Sequence, residues 1–257
     1  MNANTIHLER RFGGVSRLYG VDALSRFNAA HVCVIGIGGV GSWAAEALAR
    51  TAIGQITLID LDMVAESNVN RQIHALGDVF GKAKTDAMAE RILSINPMCR
   101  VNRIEDFVTP NNVEQMFANA PNFVIDAIDQ VRTKAAIIAY CKRKGISIIT
   151  AGGAGGQIDP TKIAIDDLSR TVQDPLLSKV RSLLRKEYGF PRDPKKKFGI
   201  PAVFSNEPLR YPDSAASCDQ APGISGLNCA GYGSSVCITA SFGFFAVGEV
   251  LRSLASK

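Results

Sequence analysis

The sequence predicts an α/β protein: a mostly parallel β-sheet with helices on both faces, extended at its C-terminal end by a long loop and a final apolar helix. Three observations predict it. Between about residue 31 and residue 150, short apolar runs alternate with longer amphipathic ones, the rhythm of successive βαβ units. The first run, Val32-Cys33-Val34-Ile35, opens directly into Gly36-Ile37-Gly38-Gly39-Val40-Gly41-Ser42, a strand–turn–helix signature. Finally, Gly36, Asp60 and the stretch from Asp126 to Asp129 all fall at carboxyl ends of strands, where open sheets of this class bind ligands.

Residues 14–28 read as a short amphipathic helix with Val15, Leu18, Leu24 and Phe27 on its apolar side. A strand at 31–36, a helix at 40–51 and a strand at 55–60 follow. Next come a helix near 80–94, a strand at 99–104, a short helix from Thr109 and a strand at 122–126. A helix at 131–144 and a strand at 146–150 complete the regular part. The glycine run from Gly152 to Gly156 is too rich for regular structure and brings backbone close to a ligand or a neighbouring element. Lys162-Ile163-Ala164-Ile165 reads as another strand, and residues 174–188 as a helix starting near Asp174-Pro175. The segment holding Pro191, Pro194, Pro201, Pro208, Pro212 and Pro222 reads as one long irregular loop, a length that is usually functional or mobile. With no repeat and no linker, residues 1–257 form a single domain in this reading.

Composition narrows the class. Of 257 residues, 46% are apolar and 21% charged, which suits a globular protein with a sizeable core. The formal net charge of +5 is compatible with a polyanionic partner without requiring one. None of the six cysteines forms a Cys-x-x-Cys pair, and Cys33 and Cys141 fall in predicted core elements, which argues against a disulfide framework. The charged start, Glu9-Arg10-Arg11, does not resemble a secretory signal, so a reducing cytoplasm is expected. Residues 234–254 carry only Glu249 and Arg252 as charges and approach the length of a membrane span. Ala240, Gly243, Ala246 and Gly248 favour close packing against protein, so the segment is read as a helix buried at the core or a dimer interface.

The candidate site is assembled from several motifs. Gly36, Gly38, Gly39 and Gly41 match a nucleotide fingerprint: a tight turn, close approach of backbone to phosphate, and an anion at a helix N-terminus, with the Ser42 hydroxyl added. Asp60 and Asp62 stand where an acidic residue meets a ribose, which makes the fold Rossmann-like. Asn68, Asn70, Arg71 and Gln72 cluster ahead of Lys84. A dinucleotide site does not need those cations, whereas an α-phosphate under attack and a departing pyrophosphate do. At the next strand end Asp129 is the preferred ligand for Mg²⁺ bridging phosphates, with Asp126 either helping or capping the helix that follows. His7, His31 and His74 show no ligand spacing. Cys218, Cys229 and Cys237 read as small hydrophobes, with a covalent role for Cys229 the alternative. The basic groups Lys179, Arg181, Arg185, Lys186, Arg192 and Lys195 to Lys197, followed by Phe198, are either a solvated face or a hold on a phosphate backbone.

These motifs together, G-x-G-G-x-G-S, D-x-D, N-x-N-R-Q, the helix lysine and the D-A-x-D strand end, resemble the E1-like superfamily, whose members adenylate carboxylates. The resemblance implies ATP and Mg²⁺: ribose on Asp60 and Asp62, phosphates on Asn68, Arg71 and Lys84, and the metal–nucleotide supported by Asp129. Arg11-Phe12-Gly13-Gly14-Val15, the run from Asn70 to Leu76, the run from Ala151 to Pro160 and the run from Asn228 to Gly233 are most similar to the tRNA threonylcarbamoyladenosine dehydratases. That family implies ATP-dependent cyclisation of a threonylcarbamoyl group beside the anticodon, on tRNA rather than DNA, with sulfur-transfer proteins as further partners. Two departures from sulfur-carrier-activating relatives stand out. The zinc-binding Cys-x-x-Cys pairs are absent, which argues against a small-protein substrate, and Gly14 occupies the place of an arginine that reaches a partner subunit's site. Arg11 or Arg17 would replace it in a homodimer, and Arg17 is taken as the catalytic candidate. The alternatives are adenylation of a sulfur carrier's C-terminus, an NAD-dependent oxidoreductase, which leaves Arg71 and Lys84 without a task, and a non-catalytic nucleotide sensor.

Overall fold

The computed structural model describes residues 7–211 and 232–256. Seven strands form one sheet in the order β3-β2-β1-β4-β5-β7-β6. These are β1 (His31–Ile35), β2 (Gln55–Ile59), β3 (Arg100–Ile104), β4 (Phe123–Asp126), β5 (Ser147–Ala151), β6 (Ile163–Asp167) and β7 (Pro201–Ser205). All neighbours run parallel except β6, which is antiparallel to β7. Central β1 sets Val34 level with Leu58 of β2 and Ile125 of β4. Because side chains alternate along a strand, Val32 and Val34 enter one core and Cys33 and Ile35 the other. Both faces of the strand are buried, which is why it reads as a continuous apolar run.

The first core lies under α2 (Val21–Ala29), α3 (Gly41–Arg50), α4 (Lys84–Ile95) and α8 (Val236–Ala255). The second lies under α5 (Val113–Met116), α6 (Val131–Lys144) and α7 (Pro175–Glu187). At the N-terminal end the structure corrects the sequence. Instead of one helix at 14–28 there are two, α1 (Leu8–Tyr19) and α2, broken at Gly20, whose φ of +91° belongs to glycine. The helix predicted from residue 80 begins only at Lys84, since Gly81 takes φ +82°. Strand β7 was hidden inside the predicted irregular loop. Pro201 is its first residue, where a missing N–H is tolerated, and the strand inserts between β5 and β6.

Helix α8 is long and apolar enough to cross a membrane, but half of its most apolar stretch is buried inside the protein. Gly243 explains how it seats on α3: a Cβ there would lie 2.7 Å from the Val40 carbonyl oxygen and 2.9 Å from the Ala44 nitrogen. Ala240 and Ala246 are buried as expected, whereas Gly248 looks onto open space.

Candidate active site

A cleft of about 580 Å³ runs across the carboxyl ends of β1 to β5, from Asp106-Phe107-Val108 at one end to Ala154, Gly155 and Tyr232 at the other. Its floor is the glycine turn. Gly36 takes φ +84°, and a Cβ on it would come within 3.1 Å of Ala127. On Gly41 a Cβ would lie 1.8 Å from the Gly36 carbonyl oxygen, so α3 can only start this close to the strand with glycine there. Gly38 has nothing within 4 Å of its missing side chain and faces the cleft.

Asp60 braces this turn. Its carboxylate accepts from the Ile37 N–H at 2.6 Å and the Asp62 N–H at 2.8 Å. Burial pushes its pKa up, against the opposing pull of the Lys84 charge and those two hydrogen bonds. Asp62 is more exposed and receives the Lys84 ammonium at 2.7 Å, while Lys84 itself is buried at the first turn of α4. The Asn68 side chain accepts from the Ala65 N–H at 3.1 Å, closing the short turn Glu66–Asn68 and holding the following residues at the wall. Arg71 donates to the Ser67 carbonyl at 2.8 Å and to Asn70 Oδ1 at 3.0 Å, both neutral partners. Half-buried, it has a pKa lowered by desolvation. Its own carbonyl accepts the indole N–H of Trp43 at 3.0 Å, and Thr239 of α8 approaches at 3.5 Å. The buried Oε1 of Gln72, a lining residue, has no partner among the described residues.

Asp129 and Gln130 form the rim after β4. Asp126 does not join them. It is fully buried and paired at 2.9 Å with Lys134 of α6, itself fully buried, and both hydrogen-bond to Thr150 Oγ1. This network clamps the end of β4 to the end of β5 beneath the cleft. Asp174 extends the clamp: its Oδ2 accepts from the Gly153 N–H at 2.9 Å and would meet a Cβ on Gly152 at 1.9 Å.

The ThiF family model matches residues 12–256 of this chain. The chain is 55% identical over 250 residues to a tRNA threonylcarbamoyladenosine dehydratase of Haemophilus influenzae, covering 97% of this chain and 95% of the relative. The chain belongs to the ThiF family. Among solved structures it matches the tRNA N6-threonylcarbamoyladenosine dehydratase of Escherichia coli in complex with ATP, with a TM-score of 0.88 and 53% identity over 96% of this chain and 95% of that one. The same enzyme in complex with AMP matches with a TM-score of 0.87 and 51% identity, covering 98% of each chain.

In this ThiF-family chain, the cleft gathers most of the residues singled out from sequence: Gly36, Gly38, Gly39, Asp60, Asp62, Asn68, Arg71, Gln72, Lys84 and Asp129. Gly41 and Ser42 are not on its wall. Gly41 serves packing, and the Ser42 hydroxyl is buried in the first turn of α3 without a partner among the described residues. Arg17 is exposed on α1 and is not part of this chain's cleft, with its guanidinium 3.4 Å from where a Gly13 Cβ would be. Arg11 is taken up elsewhere, donating to the Ile95 carbonyl at 2.8 Å and so capping the end of α4.

The basic region divides. Arg181 donates to Thr171 Oγ1, and Arg185 donates to the Pro191 carbonyl and lies 5.2 Å over the Phe198 ring, so both are committed to the fold. Phe198 is a core residue, whereas Lys179, Lys186 and Lys195 to Lys197 are exposed. Burial pushes the Cys33 thiol up and raises Cys141 to about 12, as expected of inert core cysteines. Cys218 and Cys229 lie outside the described residues, as does most of the run from Asn228 to Gly233.

Sequence reading missed Phe107 and Val108, which with Ile35, Ile59 and Ile128 give one end of the cleft an apolar wall. They follow a half-exposed edge strand and carry no motif. It also missed Lys134, which reads as one more polar helix residue, and the contribution of Tyr232 and Ser234, just ahead of α8, and of Thr239 in its first turn.

Proposed function

We propose that this chain is an ATP-dependent tRNA threonylcarbamoyladenosine dehydratase. The observation that carries the reading is the joint placement, in one cleft, of a phosphate-accepting glycine turn and two cations, Arg71 and Lys84, in a chain similar over nearly its whole length to enzymes of that name. In this reading ATP lies with its base on the apolar wall of Phe107, Val108 and Ile128, its ribose near Asp60 and Asp62, and its phosphates over the turn. The tRNA group's carboxylate oxygen attacks the α-phosphate, and pyrophosphate leaves. Arg71 and Lys84 stabilise the charge that gathers on both. A nitrogen of the same group then attacks the activated carbonyl, and AMP departs with the carboxylate oxygen. The overall loss is one water from the tRNA.

Lys84 has three donors, so it can keep Asp62 and still reach a phosphate oxygen. Asp129, at the rim, is the carboxylate that would hold Mg²⁺. A site of one carboxylate shared with phosphates suits that ion, which would supply charge neutralisation to the phosphates. A homodimer in which Arg17 of one subunit serves the other, a cytoplasmic location and sulfur-transfer partners belong to the same proposal. The experiment is mass spectrometry of tRNA nucleosides after incubating the protein with ATP, Mg²⁺ and threonylcarbamoyl-modified tRNA. Loss of one water from the modified adenosine together with AMP formation is the expected result. ATP binding without that change would refute this substrate.

A further inference from the structure

At the end of the cleft opposite the apolar wall stand two tyrosines. Tyr232 lines the cleft, packing its Cβ 3.3 Å from where a Cβ on Gly155 would be. Tyr211 leans on it with ring centroids 5.3 Å apart and planes at 52°. Tyr211 is nonetheless 71% exposed. A pair that served only the fold would bury its rings, since that is where aromatics stabilise most.

Backbone contacts hold this pair firmly. The Gly156 N–H donates to the Gly233 carbonyl at 2.8 Å, and the Arg210 N–H to the Gly156 carbonyl at 2.8 Å, so the residues beside both tyrosines are tied to one turn. Gly155 also forms a β-bridge with Ser234. Gly156, at φ +74°, leaves room for the Tyr232 ring, which a Cβ there would approach to 3.0 Å. Among the described residues the rings are thus fixed in place with aromatic surface left open, Tyr232 on the cleft wall and Tyr211 beside it.

On the reading proposed above, the reacting group hangs from a purine in an RNA loop. To bring that group to the α-phosphate the purine must leave its neighbours' stack, and the lost stacking has to be replaced. We propose that Tyr211 and Tyr232 form the platform on which the reacting purine stacks as it enters the cleft. The proposal rests on the tRNA reading and adds the surface that selects an unstacked base. Arg210, mostly exposed beside Tyr211 and 3.4 Å from Glu207, places a cation next to this platform.

The test compares Tyr211→Leu, Tyr232→Leu and the two Phe variants with wild type, measuring KM for modified tRNA, KM for ATP and thermal melting. Leucine keeps bulk without a π-face, so both Leu variants are expected to raise the tRNA KM by about 5- to 100-fold, the scale of one lost base–aromatic stack. Both Phe variants should stay within about twofold of wild type, and the Tyr211 variants, outside the cleft lining, should leave the ATP KM unchanged. Because Tyr211 is exposed, its variants should melt like wild type. An unchanged tRNA KM in Tyr211→Leu, or Phe variants as impaired as Leu variants, overturns the stacking role. A wild-type protein that neither binds nor converts modified tRNA overturns the tRNA reading itself, and the platform with it.

Discussion

His74 should make the fold sensitive to mild acid. It follows Arg71 and Gln72 in the loop that forms the cleft wall, is only 3% exposed, and has no hydrogen-bond partner on either ring nitrogen among the described residues. Burial lowers its pKa from 6.5 to about 4, and the charges of Lys84 and Arg91, both on α4, push the same way. Arg91 itself is ion-paired with Glu46 of α3 at 2.6 Å. A histidine that takes up its proton less readily folded than unfolded stabilises the fold fully above the unfolded pKa. That stabilisation is lost as pH falls from 6.5 towards about 4. The whole window corresponds to about 3 kcal/mol, of which about 2 kcal/mol is gone by pH 5. Urea denaturation of wild type and His74→Gln at a series of pH values isolates this group from every other carboxylate and histidine. The stability difference between the two proteins should shift by about 2 kcal/mol against wild type between pH 7.5 and pH 5. Parallel curves over that range would refute the assignment of a buried, neutral His74.

Further outcomes follow from the same geometry. Arg71→Ala and Lys84→Ala should each lower kcat by about 10²–10³ with little change in melting temperature, measured as AMP release; wild-type turnover in either would remove it from the site. Lys134→Met leaves the fully buried Asp126 without its cation and should cost about 3–5 kcal/mol in urea denaturation, with much of the loss recovered on adding Asp126→Asn. If Lys134→Met alone were neutral, the clamp beneath the cleft would be refuted. Gly41→Ala forces a methyl to within 1.8 Å of the Gly36 carbonyl, so ATP binding by calorimetry should fall sharply; an unchanged ATP Kd would show that the turn is not held as described. Replacing the exposed Lys195, Lys196 and Lys197 by Gln should reduce the slope of log K against log salt for tRNA by about 1 to 3, and an unchanged slope would mark the run as a solvated face.

What was legible in the sequence is what local chemistry dictates. The continuous apolar runs of β1, β2 and β4 announce strands buried on both faces, and the glycine turn needs its residues so specifically that Gly36 and Gly41 could be picked out without coordinates. The roles within the turn were harder. One glycine faces the cleft and another packs against a carbonyl, and only the backbone distances separate Gly38 from Gly41. Strand β7 escaped because it starts at a proline and pairs with strands distant in sequence, so its evidence is non-local. Asp126 and Asp129 look alike in sequence. They differ because Lys134, at the end of the first turn of α6, reaches back to the first and leaves the second on the rim. A buried lysine is not something hydropathy can announce.

The last helix shows how one element can satisfy packing and chemistry together. The apolar character of α8 suggested a membrane span by length alone, yet its small residues are distributed according to contact with α3. Gly243 admits the backbone of the first turn of α3, and Phe244 meets Trp43 edge-on with centroids 5.8 Å apart. Trp43 in turn donates to the Arg71 carbonyl, which Thr239 also approaches. The Asn70 side chain donates to the Ser234 carbonyl at 3.1 Å, just ahead of the helix. The loop that presents Arg71 is therefore held from two elements that begin at the glycine turn and at the far end of the chain. Because α3 must start at Gly41 and α8 must close on it at Gly243, the position of Arg71 is set by two glycines more than 200 residues apart. An apolar helix with small residues at this contact meets that requirement. A polar one would leave the sheet uncovered, and a bulkier one would lift the arginine's loop away from the turn.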